Sequence, residues 1–105
     1  MSRWRRFEVL LPLGLNDGRP VPRKLLGEAI REIAAQFDAA SYETQTIEGH
    51  WQHRGVWFRD KLSRIFVDVP DSVKNRKWMK QFKARWKARL EQLEIWLISY
   101  RIEIE

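Results

Sequence analysis

The most chemically suggestive residues of this chain are basic and lie close together in sequence. Residues 73–90 contain eight Lys or Arg and no Asp or Glu, whereas the whole chain has 20 basic and 14 acidic residues and a formal net charge of +6. The positive excess is therefore concentrated in one segment. A local excess of this kind marks a candidate contact surface, whereas a diffuse one only affects solubility.

Four of the basic residues form a row if this segment is helical. They are spaced four, three and four residues apart and are Arg76, Lys80, Lys83 and Lys87. This spacing places them on one side of a helix, in a row about 16 Å long. Such a row can follow the phosphates of a nucleic acid. The alternative is a solvated helix face, on which long Lys and Arg stems cover the edges of an apolar stripe.

No other pattern in the sequence predicts catalysis or metal binding. The chain has no Cys and lacks the motifs of nucleophile-elbow hydrolases, P-loop proteins, zinc proteases and dinucleotide-binding enzymes. His50 and His53 fall at a predicted strand end and turn, where only Glu48 offers a further ligand. We therefore expect no metal and no cofactor. One enzymatic alternative stays open, namely a small cofactor-independent enzyme with an apolar cavity between subunits.

Two helices and four strands must position these residues. Alternating apolar residues predict strands at about 5–13, 42–51, 56–69 and 96–104. Apolar residues at helical spacing predict helices at about 22–38 and from 71 or 72 to about 93. In the third strand the apolar residues change from even to odd positions, so we expect a bulge or a bend near residues 59–64.

The order strand, helix, strand, strand, helix, strand predicts an α+β fold in a single domain, residues 1–105. It is the ferredoxin-like plait (β-α-β-β-α-β), a four-stranded antiparallel sheet with both helices on one face. The chain also resembles small bacterial proteins of ferredoxin-like architecture, through its segments 7–11 (FEVLL), 15–18 (LNDG) and 49–55 (GHWQHRG). No activity is established for such proteins, so the resemblance implies the fold alone.

The other face of such a sheet is left without a cover from its own chain. Trp96 and Tyr100 share one face of the last strand, and their parity does not decide whether that face meets the helices or is the open one. An apolar open face favours a homodimer. Our first hypothesis is therefore a non-catalytic binding or assembly module that self-associates through this face. Nucleic-acid binding through the helix at 73–90 is the alternative.

The sequence also predicts a cytoplasmic protein without a membrane partner. The apolar run at residues 9–15 is broken by Pro12 and Gly14. It is far shorter than the roughly 20 residues that a membrane-spanning helix needs. The absence of Cys fits a reducing compartment.

Overall fold

The structure, a computed structural model, describes residues 3–105 and contains one antiparallel sheet and two helices. In chain order the elements are β1 (Trp4–Pro12), α1 (Arg23–Phe37), β2 (Ser41–Tyr42), β3 (Ile47–His53), β4 (Val56–Pro70), α2 (Val73–Arg89) and β5 (Trp96–Ile102). β1 and β4 lie at the centre of the sheet, β5 forms one edge, and β2 and β3 both pair with β4 at the other edge. The predicted α+β ferredoxin-like fold is confirmed.

The predicted number of four strands was wrong, because the predicted second strand is divided into β2 and β3. Tyr42 lies opposite Ile65, and Ile47 lies opposite Leu62. Between these two pairs the edge has four residues, 43–46, whereas β4 has only two, Ser63 and Arg64. The strand direction is the same on both sides of this interruption, so the topology of the plait is preserved.

The irregularity that we expected in β4 lies in this edge instead. β4 pairs with β1 in unbroken register from Leu62 to Pro70, and with β3 from Val56 to Leu62. A central strand must match a neighbour on each side, whereas an edge strand has one neighbour and accommodates extra residues at lower cost. This unbroken register excludes a bulge at 59–64, and the even apolar residues of β4 face the side of the sheet away from the helices.

The core lies between the sheet and the two helices. Odd-numbered residues of β1 and β4 point towards the helices and are buried, namely Phe7, Val9, Leu11, Ile65, Val67 and Val69. They join one cluster with buried residues of the helices: Ala29, Ile33, Met79, Phe82 and Trp86. Both helices thus cover the same face of the sheet, and the other face is left open.

The helix boundaries follow from local chemistry. α1 begins directly after Pro22, which suits a helix start because its missing N–H is not needed there. The hydroxyl of Ser72 accepts a hydrogen bond from the backbone N–H of Asn75 at 3.0 Å and so caps α2 as predicted. α2 ends at Arg89, before the predicted end near Leu93, and Glu91 takes a left-handed conformation with φ of 53°. Among residues 3–105, neither helix is long and apolar enough to cross a membrane.

Candidate functional site

The predicted basic row lies along α2, and its first member is paired with an acid from outside the helix. Arg76 donates two hydrogen bonds to Asp71, at 3.0 and 3.1 Å. Asp71 also accepts a hydrogen bond from Arg5 at 3.1 Å, and its side chain is only 6% exposed. Arg5 and then Arg76 hold the pKa of the Asp71 carboxyl below its ordinary value. Arg76 therefore belongs to a structural cluster of charges.

The two C-terminal members of the row share one acid in the connection between α2 and β5. Lys83 Nζ lies 2.9 Å from Glu94 Oε1, and Lys87 Nζ lies 3.9 Å from the same oxygen. The hydrogen bonds from Lys83 and from the backbone N–H of Ile95 lower the pKa of the Glu94 carboxyl. Lys80 is exposed and has no ion-pair partner within the described part of the chain. Three of the four cations would thus have to leave an acid in order to bind phosphate.

Sequence reasoning missed these acids because it compared the basic residues only with acids on the same helix. Asp71 stands two residues before α2, and Glu94 stands five residues after it. Acids that directly flank a basic helix lie near its ends in space and are its nearest counter-charges. That signal was present in the sequence.

Two further cations of α2 hold the two helices together. Arg85 pairs with Glu32 at 3.2 Å, and Arg89 pairs with Glu28 at 2.7 Å. The indole N–H of buried Trp86 also donates to Glu32, at 3.0 Å. Trp86 is therefore part of the core although it lies in the basic segment. Arg85 and Arg89 form ion pairs within the fold and contribute less to a free positive surface.

The open face of the sheet has a buried polar centre that the sequence did not suggest. Glu8 of β1 is only 6% exposed, and its two oxygens accept hydrogen bonds from Arg64, at 2.8 Å, and from the Tyr100 hydroxyl. Arg64 also donates to Glu43 at 2.6 Å. The hydrogen bond to Glu8 raises the pKa of the Tyr100 hydroxyl. No local pattern predicts this network, because its members come from three different strands and a loop.

A second charge pair lies beside this centre. Arg6 donates two hydrogen bonds to Asp68, at 2.7 and 3.0 Å, and this pairing raises the pKa of the Arg6 guanidinium. The guanidinium groups of Arg6 and Arg64 lie 4.8 and 5.1 Å from the centroid of the Phe66 ring. The carboxylates of Asp68 and Glu8 balance these two cations, and Glu43, whose side chain is 41% exposed, adds one negative charge to the network.

Large apolar side chains of β5 are exposed on the same face. Leu97 lies opposite buried Val9 and packs against the core, so the residues that alternate with it point to the open side. Trp96, Ile98 and Tyr100 are 62%, 39% and 42% exposed. The structure thus answers the question that parity left open: the aromatic face of the last strand is the open face.

The two histidines of the hairpin point to opposite faces of the sheet, since they are an odd number of residues apart in one strand. His50 Nε2 lies 3.0 Å from Glu48, which also accepts hydrogen bonds from Arg59 at 2.8 and 2.9 Å. Arg59 first, and then His50, lowers the pKa of the Glu48 carboxyl. In residues 3–105 no group of three or more His, Asp or Glu side chains is arranged to hold a metal ion.

Comparison with known proteins supports the fold and leaves the function open. No family model and no curated protein matches the sequence. A phage SAM lyase in complex with S-methyl-5'-thioadenosine has a similar structure, with a TM-score of 0.64 and 13% identity over 99% of this chain and 91% of that chain. CutA from Synechococcus elongatus gives a TM-score of 0.62 at 6% identity, covering 97% and 79% of the two chains. CutA1 from Oryza sativa gives 0.60 at 16% identity, covering 98% and 83%. At such identities the likeness shows the fold alone.

Proposed function

We propose that this domain is an assembly module that binds a second copy of itself through the open face of its sheet. The observation that carries the proposal is the composition of this face. It exposes Trp96, Ile98 and Tyr100 on β5, beside a centre in which the charges of Arg6 and Arg64 are paired with carboxylates. A face of this kind loses apolar contact with water on association, while the cations at its centre keep their ion pairs.

The distribution of charge supports a second copy as the occupant. The chain has a net charge of +6, and eight of its cations lie in residues 73–90, on the helical side of the sheet. Two copies meeting through that side would repel each other, whereas two open faces do not. The backbone of β5 offers a further contact for a second copy. Within the described residues β5 pairs only with β1, so its outer edge is unpaired.

The size of the face predicts a reversible association. With a strand spacing of about 4.8 Å and a rise of about 3.3 Å per residue, a face about four strands wide and as long as the nine residues of β1 covers about 19 by 30 Å. Two copies would therefore bury roughly 1,100 Å² in total, which is at the small end of specific interfaces. We expect dissociation in the micromolar range, which makes the mass of the particle depend on concentration.

Sedimentation equilibrium over a range of concentrations tests this function. Ile98→Arg places a charge between the exposed rings of Trp96 and Tyr100 on β5 and should leave the protein monomeric at concentrations where the wild type associates. Val73→Arg is the matched control, because Val73 is an exposed apolar residue, 83% exposed, at the start of α2. A wild type that is monomeric at every concentration, or an equal loss of association in both variants, would refute the proposal.

Nucleic-acid binding through the basic row is the second candidate. Its support is that α2 carries no acid of its own and that Lys80 is exposed without an ion-pair partner in residues 3–105. Four phosphate contacts to a single strand predict a log–log salt slope of about −3. The double change Lys80→Glu and Lys83→Glu should abolish binding to labelled DNA and RNA in fluorescence anisotropy. No binding by the wild type at low salt would remove this candidate.

A further inference from the structure

A cavity of about 390 Å³ opens at one end of the open face, where β1 ends and the β3–β4 hairpin begins. Its base is apolar and is formed by Leu10, Pro12 and Leu62, and Trp51 and Trp96 line it as well. This volume falls within the range of about 300–1,000 Å³ that is typical of small-molecule sites.

Gly49 keeps the base of this cavity open. It lies in the middle of β3 and faces the same side of the sheet as its partner Asp60. A Cβ atom at this position would stand 3.0 Å from Leu62 Cδ1. Any larger side chain would therefore occupy the space between β3 and Leu62, which the glycine leaves free.

One aromatic wall is held in place by its neighbours. The ring of Trp51 stacks on Phe58, with a centroid distance of 4.4 Å and an interplanar angle of 16°. Its indole N–H donates to Asp60 Oδ2 at 2.5 Å. Trp51 therefore offers an oriented ring, while Trp96 is 62% exposed and supplies a second ring on the side of β5.

The charge of the cavity is opposite to that of the chain. Within the described part of the chain no Lys or Arg lines it, although the chain has 20 such residues, and its acidic residues are Asp60 and Glu94. Lys83 already pairs with Glu94 at 2.9 Å. Asp60 forms no ion pair within residues 3–105, and its one side-chain partner is the neutral indole of Trp51. A carboxylate without a counter-ion thus lies beside the indole ring of Trp51, in a cavity that Trp96 also lines.

We propose that this cavity is a binding site for a planar aromatic molecule that carries a positive charge. The rings of Trp51 and Trp96 favour a flat, cationic partner through stacking and cation–π contact. Asp60 accepts the charged group and repels an anion, and the apolar base disfavours strongly hydrated ligands. This site goes beyond self-association and does not require it.

Titration of the ¹⁵N-labelled protein with 2-naphthamidine, followed by NMR, tests the site. The anion 2-naphthoate has the same ring system and the opposite charge. The expected result is a shift of the Gly49 amide and of the indole N–H signals of Trp51 and Trp96, with a Kd of about 1 mM or tighter for a probe of this size. The anion should bind at least about tenfold more weakly, because its charge is repelled by Asp60.

Three variants sharpen the test. Gly49→Leu should abolish binding of both probes because it fills the cavity, and Gly49→Ala provides a graded form if the larger change prevents folding. Asp60→Asn keeps an oxygen that accepts from Trp51 and should weaken naphthamidine binding about threefold to fivefold, as expected for a partly solvated ion pair. Trp57→Ala removes a tryptophan that is 71% exposed and does not line the cavity, so it should change nothing.

The titration is also performed on the Ile98→Arg variant, which is designed to be monomeric and whose altered residue does not line the cavity, so the two proposals fail separately. Equal affinity for the cation and the anion would overturn the site. So would shifts that map elsewhere, binding that survives Gly49→Leu, or no shift up to the solubility limit of the probe.

Discussion

The buried pair of Glu8 and Arg64 gives the sharpest prediction for stability. Glu8 is 7% exposed at its side chain, Arg64 is 30% exposed, and the two are joined at 2.8 Å. Replacing Glu8 by Leu leaves the guanidinium of Arg64 with Glu43 alone and removes the acceptor of the Tyr100 hydroxyl. The main contribution to the change in free energy of unfolding is that Arg64, a partly buried charge, loses one of its two partners. We therefore expect Glu8→Leu to destabilise the domain.

The magnitude follows from the exposure of the pair. Hydrogen bonds to charged groups contribute about 1.5–3 kcal/mol. Because Arg64 is partly exposed, we assign about 2 kcal/mol to its bond with Glu8. For a domain of this length that corresponds to a fall in Tm of about 8 °C. Arg64→Met should cost a similar amount, because it leaves the carboxylate of Glu8 buried without a cation.

A double-mutant cycle measures the coupling of the two residues. Urea unfolding of Glu8→Leu, Arg64→Met and the double variant is measured at a concentration where the wild type is monomeric. The double variant should lose about 1–2 kcal/mol less than the sum of the single variants, because replacing both charges leaves neither one unpaired.

The matched control is the exposed pair of Glu28 and Arg89, which has a similar distance of 2.7 Å and side-chain exposures of 38% and 45%. The same cycle with Glu28→Leu and Arg89→Met should give a coupling below about 0.5 kcal/mol. If the couplings of the two pairs are equal, burial does not set the strength of the Glu8–Arg64 pair and the reasoning is refuted.

Three further predictions concern the core, the helix cap and alkaline pH. Phe82 is fully buried, so Phe82→Ala should cost about 3–5 kcal/mol in urea unfolding, and a cost below about 1 kcal/mol would contradict its place in the core. Ser72→Ala removes the acceptor for the Asn75 N–H and should cost about 1 kcal/mol, whereas Ser72→Asp, which keeps an acceptor, should cost little. Glu8 raises the pKa of Tyr100 in the folded state, so this contribution to stability is fully present below the unfolded pKa of about 10 and is lost as the pH rises through the folded value. Thermal unfolding should show that alkaline loss in the wild type and a smaller loss in Tyr100→Phe.

Period-2 and period-3.6 patterns predicted the fold because each element buries one face. The alternation at Phe7, Val9 and Leu11 and the helical spacing around Ile33 describe which side of an element is apolar, and each of these residues is buried as expected. Such patterns do not describe the edge of a sheet. The interruption at residues 43–46 is permitted because, within residues 3–105, β2 and β3 have no outer neighbour, and no local pattern reports this.

The open face was predicted to exist, but its chemistry could not be predicted. The contacts of Glu8 with Arg64 and Tyr100 join residues 56 and 92 positions apart in the chain. Within β1, Glu8 looks like an ordinary exposed residue between two core positions. Its burial comes from the side chains of the strands on either side, which meet only when the register of the sheet is known.

The two proposals for the open face can be separated because each depends on a residue that the other does not use. Ile98 lies in the middle of β5 and does not line the cavity, whereas Gly49 lies in the base of the cavity on β3, at the far side of the sheet from β5. Ile98→Arg should therefore abolish association and leave naphthamidine binding within about twofold of the wild type. Gly49→Leu should abolish naphthamidine binding and leave the association constant unchanged. If either variant abolishes both properties, the cavity and the association surface are one site and the assignment of two separate roles to this face is wrong.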